Sequence, residues 1–156
     1  MAHALGFRNL LVPVSDNVES ERAMDVACRL AADHGATITL VNVVEVPPVL
    51  PLDAHMRQEE ERAHRLLERA AAIADTYGVN VVPRILRGRD AAQAIVAQAE
   101  ERRSEILVIG APRKRHRRLQ DAFGSTVEHV LKKAPCRVMV IGAAAEEAAG
   151  ARNAAA

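Results

Sequence analysis

Ile106-Leu107-Val108-Ile109-Gly110, then APRKRHRRLQDAF, then Gly124-Ser125-Thr126 is the stretch on which the fold turns. The apolar run is short, and the residues that follow Thr126, Val127-Glu128-His129-Val130-Leu131, carry apolar positions at helical spacing. The unit reads strand–loop–helix. Its loop is crowded with positive charge and its helix opens on Gly-Ser-Thr. The first N–H groups of a helix lack partners within it and carry partial positive charge, so small residues there suit a phosphate. On its own, Gly124-Ser125-Thr126 reads better as a plain helix cap.

The same alternation extends outward in both directions. Leu10-Leu11-Val12-Pro13-Val14 predicts a buried strand stopped by Ser15-Asp16-Asn17. A helix over 18–34 follows, with Met24, Ala27, Cys28, Ala31 and Ala32 as its apolar stripe and Gly35 at its end. Thr37 to Val46, rich in Val, Ile and Thr, is a second strand. Pro47-Pro48 and Pro51 predict an extended connection, after which Asp53 caps a long helix over 54–77. A third strand over 79–86 contains Pro83, which cannot donate to a ladder and marks an edge or a bulge. Asp90 caps a helix over 91–103, a fourth strand covers 105–109, and a fourth helix covers 124–134. Pro135 ends that helix before a fifth strand, Cys136 to Ile141.

Five strands alternating with four helices predict an α/β fold: a single open, doubly wound parallel sheet with helices on both faces. Ligands of such sheets bind beyond the carboxyl ends of strands where the winding reverses. Two strand ends carry suitable chemistry: Ser15-Asp16-Asn17 after the first, and Gly110 with its basic loop after the fourth. Neighbouring positions would make them one crevice. Asp16 reads as a cap of the first helix or a turn residue.

Composition narrows the class. A chain of 156 residues, 49% hydrophobic and 26% charged, suits one globular domain with a sizeable core. Residues 1–142 form that domain, and 143–156 an Ala/Glu-rich, flexible tail. No apolar run approaches the ~20 residues of a membrane helix, and the first residues lack a signal-peptide core, so membrane insertion is not expected and cytoplasm is the default. Cys28 and Cys136 stand far apart outside any C-x-x-C motif and predict two reduced thiols. Formal net charge is +1, yet the run from Arg113 to Arg118 holds five basic residues and no acid. Without it, 16 basic residues stand against 20 acidic ones, a net of −4. A local positive loop on an acidic remainder suits a compact anion rather than nucleic acid, for which the arginines lack interleaved aromatics; a solvated charge run is the competing reading.

Catalytic signatures are missing. The chain has no G-x-S-x-G, no Walker lysine loop and no G-x-G-x-x-G after the first strand. Its six histidines show no i, i+4 pair for a metal. No catalytic residue is assigned.

The assembled pattern resembles the universal stress protein family. The resemblance rests on Val12-Pro13-Val14-Ser15-Asp16, Leu40-Val41-Asn42-Val43-Val44, Val108-Ile109-Gly110, Gly124-Ser125-Thr126 and Ala134-Pro135-Cys136-Arg137-Val138-Met139-Val140, covering about residues 7 to 142. It implies sheet order 3-2-1-4-5, with strands one and four adjacent at the reversal. It implies adenine contacts from Val43, and ribose or adenine contacts from Pro13, Val14, Ser15 and Asp16. The phosphates would be held by the loop from Ile109 and Gly110 through Arg113, and by Gly124, Ser125, Thr126 and Val127. The implied cofactor is ATP or another adenine nucleotide (AMP or a cyclic relative), with or without Mg2+. The implied role is a stress-response or regulatory module signalling through a homodimer built on Cys136 to Ile141. Alternatives within the same fold are a nucleotide-free interaction or transporter-regulating module, and a weak ATPase.

Three departures from the family pattern change the chemistry. Arg113 stands where the second motif glycine belongs. Gly124 comes one residue later than the third, with Phe123 in its place. Ser15 displaces the acid that follows Val14 to Asp16. An arginine side chain blocks close backbone approach and Pro112 offers no N–H, but arginines supply planar bidentate donors instead.

Overall fold

The computed structural model describes residues 6–112 and 124–142. The basic run from Arg113, the segment up to Phe123 and the tail over 143–156 lie outside the described residues. Within them the elements are β1 (Asn9–Pro13), α1 (Val18–His34), β2 (Thr37–Glu45), α2 (Arg57–Thr76) and β3 (Val81–Gly88). α3 (Ala91–Glu101), β4 (Ile106–Gly110), α4 (Gly124–Lys133) and β5 (Arg137–Ile141) complete the order.

All five strands are parallel, in the order β3-β2-β1-β4-β5. β1 and β4 lie inside the sheet and are buried on both faces, which is why each reads as an unbroken apolar run. Side-chain alternation sorts them between two cores. Leu10, Val12, Ile38, Leu40, Ile106 and Val108 face α1 and α2, packing with Met24, Cys28, Leu66 and Leu67. Leu11, Val41, Leu107 and Ile109 face α3 and α4, packing with Ile95, Ala99, Val127 and Val130. The chain winds outward from β1 through β2 to β3, then returns through α3 to β4 on the other side of β1. The reversal therefore falls between β1 and β4.

Pro83 sits on β3, an edge strand, where a missing N–H leaves no central ladder broken. Helix ends follow local chemistry. Asn17 caps α1 by accepting from Ser20 N–H at 2.8 Å, and Asp90 caps α3 by accepting from Gln93 N–H at 2.9 Å. Asp16, expected as the alternative cap of α1, precedes the residue that does the capping.

Two expectations change. α2 begins at Arg57 rather than 54, and Met56, not Asp53, is its cap residue, with no side-chain cap bond. The connection before it is folded rather than extended: Leu50 N–H bonds Pro47 O and Ala54 N–H bonds Pro51 O, both at 3.0 Å. Arg87 donates to the carbonyls of Leu52 and Ala54 and pairs with Glu60, while Arg89 donates to those of Val46 and Pro47. These arginines come from β3 and its end, so no local pattern announces the turns. Val49 is left 88% exposed.

α3 ends at Glu101, two residues before the expected limit, because Arg103 enters the left-handed region at φ 51°. Ser104 N–H closes the end on Ala99 O at 2.9 Å. A non-glycine residue in that region costs about 1 kcal/mol. Arg103→Gly is expected to raise unfolding stability by about 0.5 kcal/mol after the glycine's own entropy is counted, measured by urea denaturation; a loss of stability would show the arginine side chain to be a net contributor.

Both cysteines are free. Burial first, and then the nearby Asp25 carboxylate, push the Cys28 thiol up to about 11, and burial raises Cys136. These are protonated thiols at neutral pH.

Candidate functional site

At the carboxyl ends of β1, β2 and β4 lies a cavity of about 240 Å3. Pro13, Val14 and Ser15 form the wall from β1, Val41, Asn42 and Val43 that from β2, and Ile109, Gly110 and Pro112 that from β4. Gly124, Ser125, Thr126 and Val127 close it from the first turn of α4. Arg113, one of the twelve positions singled out in the sequence, lies outside the described residues. Ten of the twelve positions singled out in the sequence thus meet at one cleft, at the point where the sheet reverses its winding.

Asp16 is not among its lining residues. The Asp16 carboxylate points toward α2, 3.7 Å from both Arg62 and Arg69, and Arg69 also pairs with Glu21 at 2.8 Å. It borders a neighbouring, more open cavity of about 360 Å3, together with Ser15, Asn42, Glu45, Glu59 and Arg62.

Seven lining residues lie outside those twelve positions: Asn17 and Ser20 of the α1 start, Val41 and Asn42 of β2, Ala91 and Ile95 of α3, and Pro112 after β4. Asn17 and Asn42 lay within segments already marked, as the strand-ending trio and the second-strand pattern. Ser20 is 3% exposed and its Oγ accepts from Ser15 N–H at 2.8 Å, tying the β1–α1 turn to the helix. Asn42 Nδ2 donates to Val14 O at 2.7 Å, and Val14 N–H to Val41 O at 2.8 Å. The turn after β1 is thereby braced from two sides. Ala91 and Ile95 gave no local signal, since only the crossover of α3 brings them there.

Gly110 has a packing reason of its own. A Cβ built on it would stand 2.5 Å from the carbonyl carbon and oxygen of Glu19 and 2.6 Å from Ser20 N. The first turn of α1 therefore rests directly on the end of β4, and only glycine fits. Gly124 opens α4 at φ 75°, in the left-handed region.

Three helix N-termini, those of α1, α3 and α4, contribute to the cleft lining. They differ in charge. Carboxylates already serve α3, since Asp90 caps it and Glu45 Oε1 accepts from Ala91 N–H at 3.0 Å. α1 has its Asn17 cap and Glu19 and Glu21 in the first turn. The first turn of α4 holds no acid, and Lys132 and Lys133 occupy its last. An anion is therefore favoured at the Gly124–Val127 end, and a neutral group against Val43, Ala91 and Ile95. Among the described residues no group of three His, Cys, Asp or Glu is placed to hold a metal ion, and no helix is long and apolar enough to cross a membrane.

Fold and cleft together define the class: an open, doubly wound α/β protein with a ligand crevice at its switch point. Residues 6–142 match the model of the universal stress protein family, and the chain belongs to that family. Among solved structures, a family protein from Burkholderia pseudomallei is 25% identical, with 89% of this chain and 98% of that chain covered at a TM-score of 0.69. The Archaeoglobus fulgidus universal stress protein in complex with dAMP is 21% identical, with 88% and 99% covered at a TM-score of 0.70. An Arabidopsis thaliana family protein with AMP bound is 20% identical, with 90% and 94% covered at a TM-score of 0.65. No curated protein sequence matches the chain.

Proposed function

We propose that the cleft binds an adenine nucleotide, phosphates toward Gly124, Ser125, Thr126 and Val127, and base toward Val43 and α3. Pro13, Val14 and Ser15 then line the ribose. Asp16, tied to Arg62 and Arg69, has no part in it unless that network opens. The observation that carries this reading is the convergence of the β1 end and the acid-free N-terminus of α4 on one cavity. The dAMP and AMP complexes of the Archaeoglobus fulgidus and Arabidopsis thaliana proteins support it. Among the described residues no cleft side chain is paired as nucleophile and base, and the role we propose is a conformational output from a cytoplasmic stress-response or regulatory module. Calorimetric titration with ATP, AMP, cyclic AMP and cyclic di-AMP tests the reading. Heat from at least one is expected, and silence from all four at millimolar concentration removes it.

Arg113, Arg115 and Arg117 lie in the connection between the two halves of the phosphate end. Replacing all three by Ala is expected to weaken nucleotide binding and flatten its salt dependence. An unchanged affinity and salt slope would reduce the run to solvated charge. For the dimer, β5 is an edge strand of the described sheet with Met139 37% exposed, and a second copy would pair along it. Sedimentation equilibrium is expected to give twice the chain mass; a monomer at high micromolar concentration rejects it. The rival reading, a nucleotide-free interaction module, draws on Pro112, which lines the cleft without an N–H to offer.

A further inference from the structure

We infer that Pro83 closes the β3 edge of the sheet to strand addition, leaving β5 as the edge on which another extended chain can seat. An open parallel sheet has two unlike edges, here β3 and β5. Each presents unpaired backbone groups to any chain that arrives. β5 of one copy set against β3 of the next would continue the sheet in the same sense. Such a contact is head-to-tail and does not close on itself, so it propagates from copy to copy. One blocked edge is enough to stop it.

The ladder shows which groups of β3 face outward. Ile38 pairs in register with Val81, yet its N–H donates to Asn80 O at 3.0 Å, and Val46 N–H donates to Gly88 O at 2.8 Å. Bonds in a parallel pair use alternate residues, so Val82, Arg84 and Leu86 turn their N–H groups toward β2. The backbone of Val81, Pro83, Ile85 and Arg87 is turned to the free edge. Pro83 therefore breaks no inward bond and removes a donor from the middle of the outward row. The N–H groups on either side of it, from Val81 and Ile85, are left about 13 Å apart. A carbonyl arriving opposite Pro83 meets ring carbon instead of a donor and stays unpaired as the strands close. Pro83 is exposed, so among the described residues nothing shields that ring from an arriving strand. β5 has no such gap. Gly110 pairs in register with Ile141, and Ala111 N–H donates to Ile141 O at 2.8 Å. Met139 and Ile141 thus face β4, while Val138 and Val140 carry their N–H groups outward.

Sedimentation velocity from low to high micromolar concentration tests this on the intact chain and three variants, each checked for folding by thermal melting. Pro83→Val and Pro83→Ala both restore the outward N–H. Each is expected to exceed the mass of the intact protein by about twofold or more at high concentration, reversibly on dilution, with valine the stronger. Arg84→Val places an apolar side chain at an exposed position of the same strand and adds no outward donor. It is expected to keep the mass of the intact protein. Growth confined to the two Pro83 variants supports the inference. Pro83 variants that keep the intact protein's mass overturn it, as does equal growth in Arg84→Val or growth seen only with loss of the melting transition. The comparison holds whatever the mass of the intact protein, so a monomer would reject the β5 dimer and leave the closed β3 edge standing.

Discussion

Gly110→Ala is expected to destabilise the protein by about 2–3 kcal/mol, roughly 5–10 °C in Tm, and to lower nucleotide affinity about tenfold or more. The added methyl would stand 2.5 Å from backbone atoms of Glu19 and 2.6 Å from Ser20 N. Backbone has no rotamer to move aside, so the first turn of α1 must shift as a unit. That turn carries Asn17 and Ser20, and Ser20 Oγ holds Ser15 N–H at 2.8 Å. A shift of α1 therefore pulls on the β1 side of the cleft, and stability and binding fall together. Urea denaturation with calorimetric titration measures both. A loss smaller than about 0.5 kcal/mol, the ordinary range of surface changes, would show that α1 does not rest on Gly110.

Gly124→Val is the second large effect, and it falls more heavily on binding than on folding. At φ 75° a β-branched residue is a genuine backbone outlier, costing about 1–2 kcal/mol. Relief of that strain rotates the first peptides of α4, whose N–H groups have no partner within the helix. Nucleotide affinity is expected to drop by about tenfold or more, since bonds from N–H groups to an anion are the strong, charge-assisted kind. Ser125→Ala keeps those N–H groups and removes only a hydroxyl, so its effect is expected to be several-fold smaller. Equal losses in the two variants would assign the phosphate contact to the Ser125 hydroxyl rather than to the backbone.

Much of this cleft was legible in the chain because its parts are local signals. Pro13-Val14-Ser15 ends an apolar run, and Gly124-Ser125-Thr126 begins a helical one; each feature depends on neighbours in sequence. Gly110 was legible as a motif glycine, but its reason was not, since the obstacle to a side chain is the backbone of Glu19, ninety-one residues earlier. The placement of Asp16 depended on residues far along the chain. Sequence adjacency put it beside Ser15, whereas Arg62 and Arg69 of α2 draw its carboxylate away from the cleft. The folded connection over 47–56 was hidden for the same reason: its carbonyls are held by Arg87 and Arg89 from another strand.

The sequence by itself determined the elements, the parallel sheet and the two chemically suited strand ends. Periodicity, caps and breakers act over a few residues and leave their mark in the chain. Only the tertiary structure decided that Asn42, Ala91 and Ile95 join the cleft, that Asp16 leaves it, and that α1 bears on Gly110. Those facts depend on crossovers that bring distant backbone within a few ångströms, and distance through space is not written in distance along the chain.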